Sequence, residues 1–208
     1  MTPEATVYVV DDDPAVIQAL TELVKLVGLD VQAYASADDF LAAYQPAGPA
    51  CLVLDVRMPG MSGMELQRKL ATAGMTLPII IVTGHGDVRM AVEAMKLGAV
   101  EFLEKPFRAQ ELCDNIQKAV RIDQDRWHAR QRREKADRRF EDLTPAERTV
   151  MNLVAAGRTN KMIAEELGLS VRAIEDRRSR MMKKLGVKSR GELLELAAAA
   201  DCRQVSIS

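Results

Sequence analysis

Five side chains suited to phosphate chemistry stand at the ends of apolar runs that lie far apart in the chain. Asp11 and Asp12 follow "VYVV", Asp55 closes "CLVLD", Thr83 closes "PIIIVT" and Lys105 follows "VEFLE". Carboxylates gathered at contact distance repel by about 4 kcal/mol per pair in a surface-like medium, so such a cluster needs compensation. A hard divalent cation supplies it. Mg2+ takes one or two carboxylates and fills its other positions with water and phosphate oxygens. The Lys105 ammonium and the Thr83 hydroxyl would complete a pocket for a phosphoryl group. With the cation and Lys105 neutralising charge, Asp55 can act as a nucleophile and form an acyl phosphate. Mg2+ is therefore the expected cofactor.

The elements that must position these residues can be read from the pattern around them. Residues 1–120 alternate apolar runs with helical periodicity five times. "TVYVV", "DVQAY", "CLVLDV", "PIIIVT" and "VEFLEKP" read as strands. The third and fourth lack a polar face, as central parallel strands do. Val16, Ile17, Leu20, Leu23, Val24 and Val27 form a helical stripe that starts at Pro14 and stops at Gly28, with Asp13 as the expected N-cap. Ser36 and Asp39 have capping-box spacing at the second helix, and Gly98 closes the helix after "PIIIVT". The alternation predicts an α/β doubly wound five-stranded parallel sheet with right-handed crossovers. Ligands of such a sheet sit outside the carboxyl ends of its strands, where all five residues fall. Taken singly, each has an ordinary role: a strand-end acid can cap a helix, Thr83 can bond to backbone, and Lys105 can be solvated. The set points to one chemistry. Arg57 and His85 flank the pocket, either to tune water access and hence phosphoryl lifetime or as solvated loop residues. Gly60, Gly63, Gly84 and Gly86 read as loop and turn devices, and there is no Walker signature.

"VVDDD", "LVLDVRMPGMSGMEL" and "IIIVTGHGDVRMAVEAMKLGAVEFLEKPF" resemble the receiver domain of two-component response regulators, particularly the FixJ-like group, over roughly residues 5–120. The resemblance implies a flavodoxin-like fold with Asp55 as phosphoacceptor. It implies Mg2+ held by Asp12 directly, by Asp11 through water, by Asp55, and by the backbone carbonyl of Arg57. It also implies that Lys105 contacts the phosphoryl oxygens, that Thr83 is the switch hydroxyl and Phe102 the aromatic switch, and that the Lys105–Pro106 bond is cis. Taken alone, Phe102 would read as core. Phosphorylation by a histidine kinase would then re-pack the fourth helix and fifth strand, around residues 88–96 and 99–104, into a dimer contact.

Residues 121–142 are charged and free of Gly and Pro, and are expected as a solvated helical linker extending the fifth helix. Trp127 and Phe140 would dock it or pair it with a second chain. Residues 143–208 hold four short helical patterns and no strand, an all-α helix-turn-helix domain. The turn "LGLS" separates a helix at 160–167 from a longer one capped by Ser170 and running to Leu185. Ile174, Met181 and Leu185 give the second an apolar seam, while Arg172, Arg177, Arg178, Arg180, Lys183 and Lys184 make the rest basic. A capped basic helix after a tight turn suits a DNA major groove. Thr159, Asn160 and Lys161 stand at the preceding helix N-terminus, where backbone donors can hold phosphate. The segment resembles the LuxR/NarL-type helix-turn-helix. That implies double-stranded promoter DNA as partner, with contacts at Thr159, Asn160, Lys161, Arg172, Glu175, Asp176, Arg178, Ser179 and Lys183. Glu175 and Asp176 depart from a basic face; they would accept from cytosine amino groups or pair with Arg172 and Arg178. "LLELAAAA" would form a dimer seam or core.

Composition limits the alternatives. A chain of 208 residues, 48% hydrophobic, has room for two domains. The net charge of −1 conceals −7 over residues 1–120, +2 over 121–142 and +4 over 143–208, which suggests different partners at each end. Cys51, Cys113 and Cys202 lack metal or redox spacing and read as reduced thiols. Without a basic leader or a membrane-length apolar run, a cytoplasmic protein with no membrane partner is expected. The expected function is a response regulator transcription factor. A histidine kinase phosphorylates Asp55 with Mg2+, and the chain then dimerises and binds specific DNA. It is a switch and not a turnover enzyme. One rival is an orphan DNA-binding regulator that ignores phosphorylation. The other, an aspartyl-phosphate phosphatase, needs a second Asp two residues after its nucleophile, where this chain has Arg57.

Overall fold

The computed structural model describes residues 4–84 and 86–200, and the chain divides into two compact units, Met1–Trp127 and His128–Ser208. Cys202 lies outside the described residues; Cys51 and Cys113 are buried free thiols. The first unit alternates β1 (Thr6–Val10), α1 (Pro14–Leu26), β2 (Asp30–Tyr34), α2 (Ala37–Ala43), β3 (Ala50–Asp55), α3 (Gly63–Thr72), β4 (Ile79–Thr83), α4 (Val88–Lys96), β5 (Glu101–Glu104) and the start of α5 (Ala109–Glu141). All strand pairs are parallel, in the order β2-β1-β3-β4-β5. The order reverses between β1 and β3, where a crevice opens at the carboxyl ends.

β3 and β4 are buried along their whole lengths, which explains why neither shows a polar face. Alternate side chains enter opposite cores. Tyr8, Val10, Leu52, Leu54 and Ile81 pack with Phe40, Leu66 and Leu70, while Val7, Val9, Val53, Ile80 and Val82 pack with Leu20, Leu112 and Ile116. Burying each such aliphatic side chain contributes about 1.5–3 kcal/mol. Asp13 caps α1 through Oδ1, which accepts from the Ala15 N–H at 2.8 Å. Ser36 caps α2, but the box is incomplete: its hydroxyl donates to the Asp39 carboxylate, and Asp, one methylene shorter than the Glu of a full box, does not reach back to the Ser36 N–H. Full capping boxes occur at Ser62/Glu65 and Thr144/Glu147.

α5 is an unbroken helix of 33 residues, but the expected solvated linker is not free. In the first unit the buried Asp123 carboxylate accepts from the Ala50 N–H at 2.9 Å, and Arg126 donates to the Thr76 carbonyl at 2.8 Å. In the second unit Ala136 and Phe140 are buried in the core. Phe140 thus docks the segment, one of the two roles expected of it, whereas the buried Asp123 carries no apolar signal in the sequence. The second unit continues with α6 (Pro145–Ala155), α7 (Asn160–Leu167), α8 (Val171–Leu185) and α9 (Arg190–Ala199). Leu193 of "LLELAAAA" is buried in the unit's core, with Leu194, Leu196 and Ala197 packed against it. Among the described residues, no helix is long and apolar enough to cross a membrane.

Candidate phosphoacceptor site and nucleic-acid interface

The sheet register builds the pocket. Val10 pairs with Leu54, so the next residues, Asp11 and Asp55, leave neighbouring strands side by side. Lys105 follows β5, and its Nζ donates to Asp11 Oδ2 at 2.7 Å and to Asp55 Oδ1 at 2.9 Å. The Lys105 N–H donates to the Thr83 carbonyl at 2.8 Å, fastening the ends of β4 and β5. Both acids are buried, at 2% and 6% exposure. The Asp13 N–H donates to Asp11 Oδ1 at 3.0 Å, and the Arg57 N–H donates to Asp55 Oδ2 at 2.6 Å. Burial pushes the Asp55 carboxyl above its ordinary range, and the hydrogen bond and charge of Lys105 offset this only in part. Burial by itself would lower Lys105, but hydrogen bonds to Asp11 and Asp55 and their charges outweigh it, so its ammonium form is favoured.

Thr83 ends β4 and is buried; Phe102, in β5, is half-buried against the first core. Both border Gly86, where a Cβ would lie 2.8 Å from the Phe102 ring and 3.4 Å from the Thr83 methyl. The Lys105–Pro106 bond is cis. Asp12 and Arg57 are exposed, and His85 lies outside the described residues.

Sequence reasoning missed Gly63 as a site residue. It opens α3 with its N–H donating to the Val56 carbonyl at 3.0 Å, and a Cβ there would fall 2.0 Å from the Asp55 carbonyl oxygen. The available signal was a Gly directly after an N-cap, a costly choice in a helix unless something passes close.

Among the described residues no three His, Cys, Asp or Glu side chains gather tightly enough to hold an ion by themselves. Mg2+ does not require that. Two adjacent buried carboxylates, the exposed Asp12 and nearby main-chain carbonyls are hard oxygen donors that fit it.

In the second unit, Gly168 in the left-handed conformation (φ 64) turns the chain between α7 and α8. Thr159 and Ser170 cap the two helices. Lys161, Arg172, Glu175, Asp176, Ser179 and Lys183 are exposed. Arg178 is not, because it lies between the buried Ile174 and Met181 on one helical stripe. Its Nη1 donates to Asn160 Oδ1 at 2.8 Å, so Asn160, not Glu175 or Asp176, orients it.

Lys184 Nζ holds Glu147 Oε2 at 2.7 Å, tying α8 to the cap of α6. The hydrogen bond from Lys184, with that from the Thr144 N–H, pulls Glu147 from 4.5 down to about 2. A depressed carboxyl contributes stability that is complete above 4.5 and is lost as the pH falls toward about 2. The melting temperature of the second unit is therefore expected to drop across that window more steeply than in Glu147→Gln. Parallel pH profiles in calorimetry would refute this.

The chain matches the response regulator receiver domain over residues 7–117 and the bacterial regulatory proteins of the luxR family over residues 141–197. It is 44% identical over 194 residues to Nodulation protein W of Bradyrhizobium diazoefficiens, covering 93% of this chain and 86% of that protein. To the transcriptional regulatory protein FixJ of the same organism it is 42% identical over 200 residues, covering 96% and 98%. To the response regulator protein TodT of Pseudomonas putida it is 39% identical over 192 residues, covering 92% and 85%. Among solved structures, response regulator StyR has a TM-score of 0.89 at 41% identity, over 94% of this chain and 99% of that one. The crystal structure of FixJ-N has a TM-score of 0.54 at 43% identity, over 58% of this chain and 96% of that one.

Proposed function

The chain belongs to the response regulator transcription factors that join a receiver domain to a LuxR-type DNA-binding domain, and on that premise we propose how its pocket controls its DNA reader. A protein of this build takes its signal from a kinase and delivers it to DNA. Here the phosphoacceptor is Asp55. One of its carboxylate oxygens attacks the phosphorus of a phosphohistidine, the O–P bond forms as the P–N bond breaks, and the imidazole leaves. Lys105, already across both acids, balances the charge on the phosphoryl oxygens. Mg2+, which receiver domains generally use, supplies charge neutralisation when bound; Asp11, Asp12, Asp55 and the Arg57 carbonyl are the proposed ligands. The observation that carries this reading is the single ammonium held by two buried carboxylates at neighbouring strand ends.

Thr83 then turns toward the new dianion and Phe102 follows, since both side chains border Gly86. The surface this alters is α4 and β5. Val88, Val92 and Met95 of α4 are 80%, 47% and 47% exposed, an apolar face that a second copy would cover. With acetyl phosphate and Mg2+ the wild-type mass in light scattering is expected to double, while Val92→Glu stays monomeric. An unchanged wild-type mass rejects the dimer face.

The receiver occupies roughly residues 1–120 and the DNA-binding domain 143–208, joined through 121–142. Promoter DNA meets α8 through Arg172, Glu175, Asp176, Ser179 and Lys183, with Thr159, Asn160, Lys161 and the oriented Arg178 toward the backbone. The protein acts in the cytoplasm as a switch that turns over no substrate. The decisive experiment is DNA-fragment selection with and without beryllofluoride. Enrichment of one repeated site only with beryllofluoride is the expected result. Equal enrichment without it would establish the phosphorylation-independent orphan instead.

A further inference from the structure

We propose that the DNA contact surface extends beyond the helix-turn-helix onto the C-terminal part of α5, where Arg132 and Lys135 form a second strip of contacts to duplex phosphates. The inference rests on the DNA-binding reading above. Residues 128–141 of α5 belong to the second unit, with Ala136 and Phe140 in its core. Two polar contacts join this segment and Asp142, the residue that follows it, to the far end of α8. Arg139 Nη1 donates to the Leu185 carbonyl at 3.2 Å, and Lys184 Nζ donates to the Asp142 carbonyl at 3.2 Å. A guanidinium at the carbonyl end of α8 is also favoured by the helix dipole. Packing and hydrogen bonds, and not a loose tether, therefore set where α5 lies against α8.

Charge spacing then separates two cations from the rest. On a helix, residues three or four apart are neighbours. Arg130, Arg133, Arg138 and Arg139 each have an acid at that spacing: Glu134, Asp137, Glu141 and Asp142. Arg132 and Lys135 have none; their neighbours are His128, Ala129, Gln131, Ala136, Arg138, Arg139 and each other. Both are exposed and make no ion pair among the described residues. Lys135 and Arg132 also stand four and seven residues before Arg139, on the helical face from which Arg139 reaches Leu185. The uncompensated strip thus continues from the end of α8, where Lys183 is exposed. The strands bordering a major groove that holds α8 present a polyanion, the partner such a strip fits.

The test measures binding of the full chain, with beryllofluoride and Mg2+ present throughout, to a fluorescent random-sequence duplex through a salt series. Neutralising one phosphate contact lowers the slope of log Kd against log salt by about 0.9. Arg132→Gln with Lys135→Gln is expected to lower it by about 1.8. Lys183→Gln reports on α8, and Lys25→Gln with Lys69→Gln removes the same charge from the first unit and is expected to leave the slope unchanged. If Lys183→Gln weakens binding but the Arg132/Lys135 variant keeps the wild-type slope, the strip is overturned and the DNA reading stands. If the Lys25/Lys69 variant lowers the slope equally, net charge explains the effect and the strip is overturned. If the wild type binds no duplex, both fall.

Discussion

Asp55→Asn is expected to abolish uptake of a phosphoryl group from acetyl phosphate or a phosphorylated kinase, with no loss of melting temperature at neutral pH. A carboxamide oxygen keeps the shape of the side chain and the hydrogen bond from the Arg57 N–H, but it is not a nucleophile. The thermal half follows from burial, which raises the Asp55 carboxyl and disfavours its charged form in the folded state. With a folded value above the unfolded one, the ionised group at neutral pH works against folding, and a neutral isostere removes that cost. Phosphorylation is read by acid-labile label or intact mass, and stability by calorimetry. Residual labelling would move the phosphoacceptor elsewhere. Unfolding of the variant would show that the acid is structural.

The second large effect is expected at a residue with no chemistry. Gly63→Ala places a Cβ 2.0 Å from the Asp55 carbonyl oxygen, so either the first turn of α3 or the end of β3 must move. Overpacking against backbone belongs at the severe end of its range, about 3 kcal/mol or more. The displaced strand end carries Asp55 away from Lys105, so phosphorylation should fall with stability. Gly60→Ala is the control. Gly60 has a φ of 77 but nothing within reach of a Cβ, so only conformational strain of about 1–2 kcal/mol applies. Urea unfolding of both variants separates the two causes. Similar losses would mean that the close approach at Gly63 relaxes cheaply.

What could be read without coordinates was whatever a single element announces by itself. Apolar runs without a polar face located β3 and β4. Asp13 and Pro14 marked the start of α1, and "LGLS" separated α7 from α8 with α7 bounded as observed. These signals are local, because capping and burial periodicity act within a few residues of backbone. They sufficed to place Asp11, Asp55, Thr83 and Lys105 at strand ends, and hence to name the chemistry.

The tertiary structure alone decided which atoms meet. Lys105 joins acids 94 and 50 residues away, Gly63 is needed because the Asp55 carbonyl passes its Cα, and Arg178 bonds to Asn160 on another helix. Residues 121–142 read as a charged linker, yet Asp123 is buried in the first unit, and Ala136 and Phe140 lie in the core of the second. Side-chain partners are chosen by distance in space. Spacing along the chain reports one helix or strand at a time, so it cannot register what a neighbouring element brings within a hydrogen bond's reach.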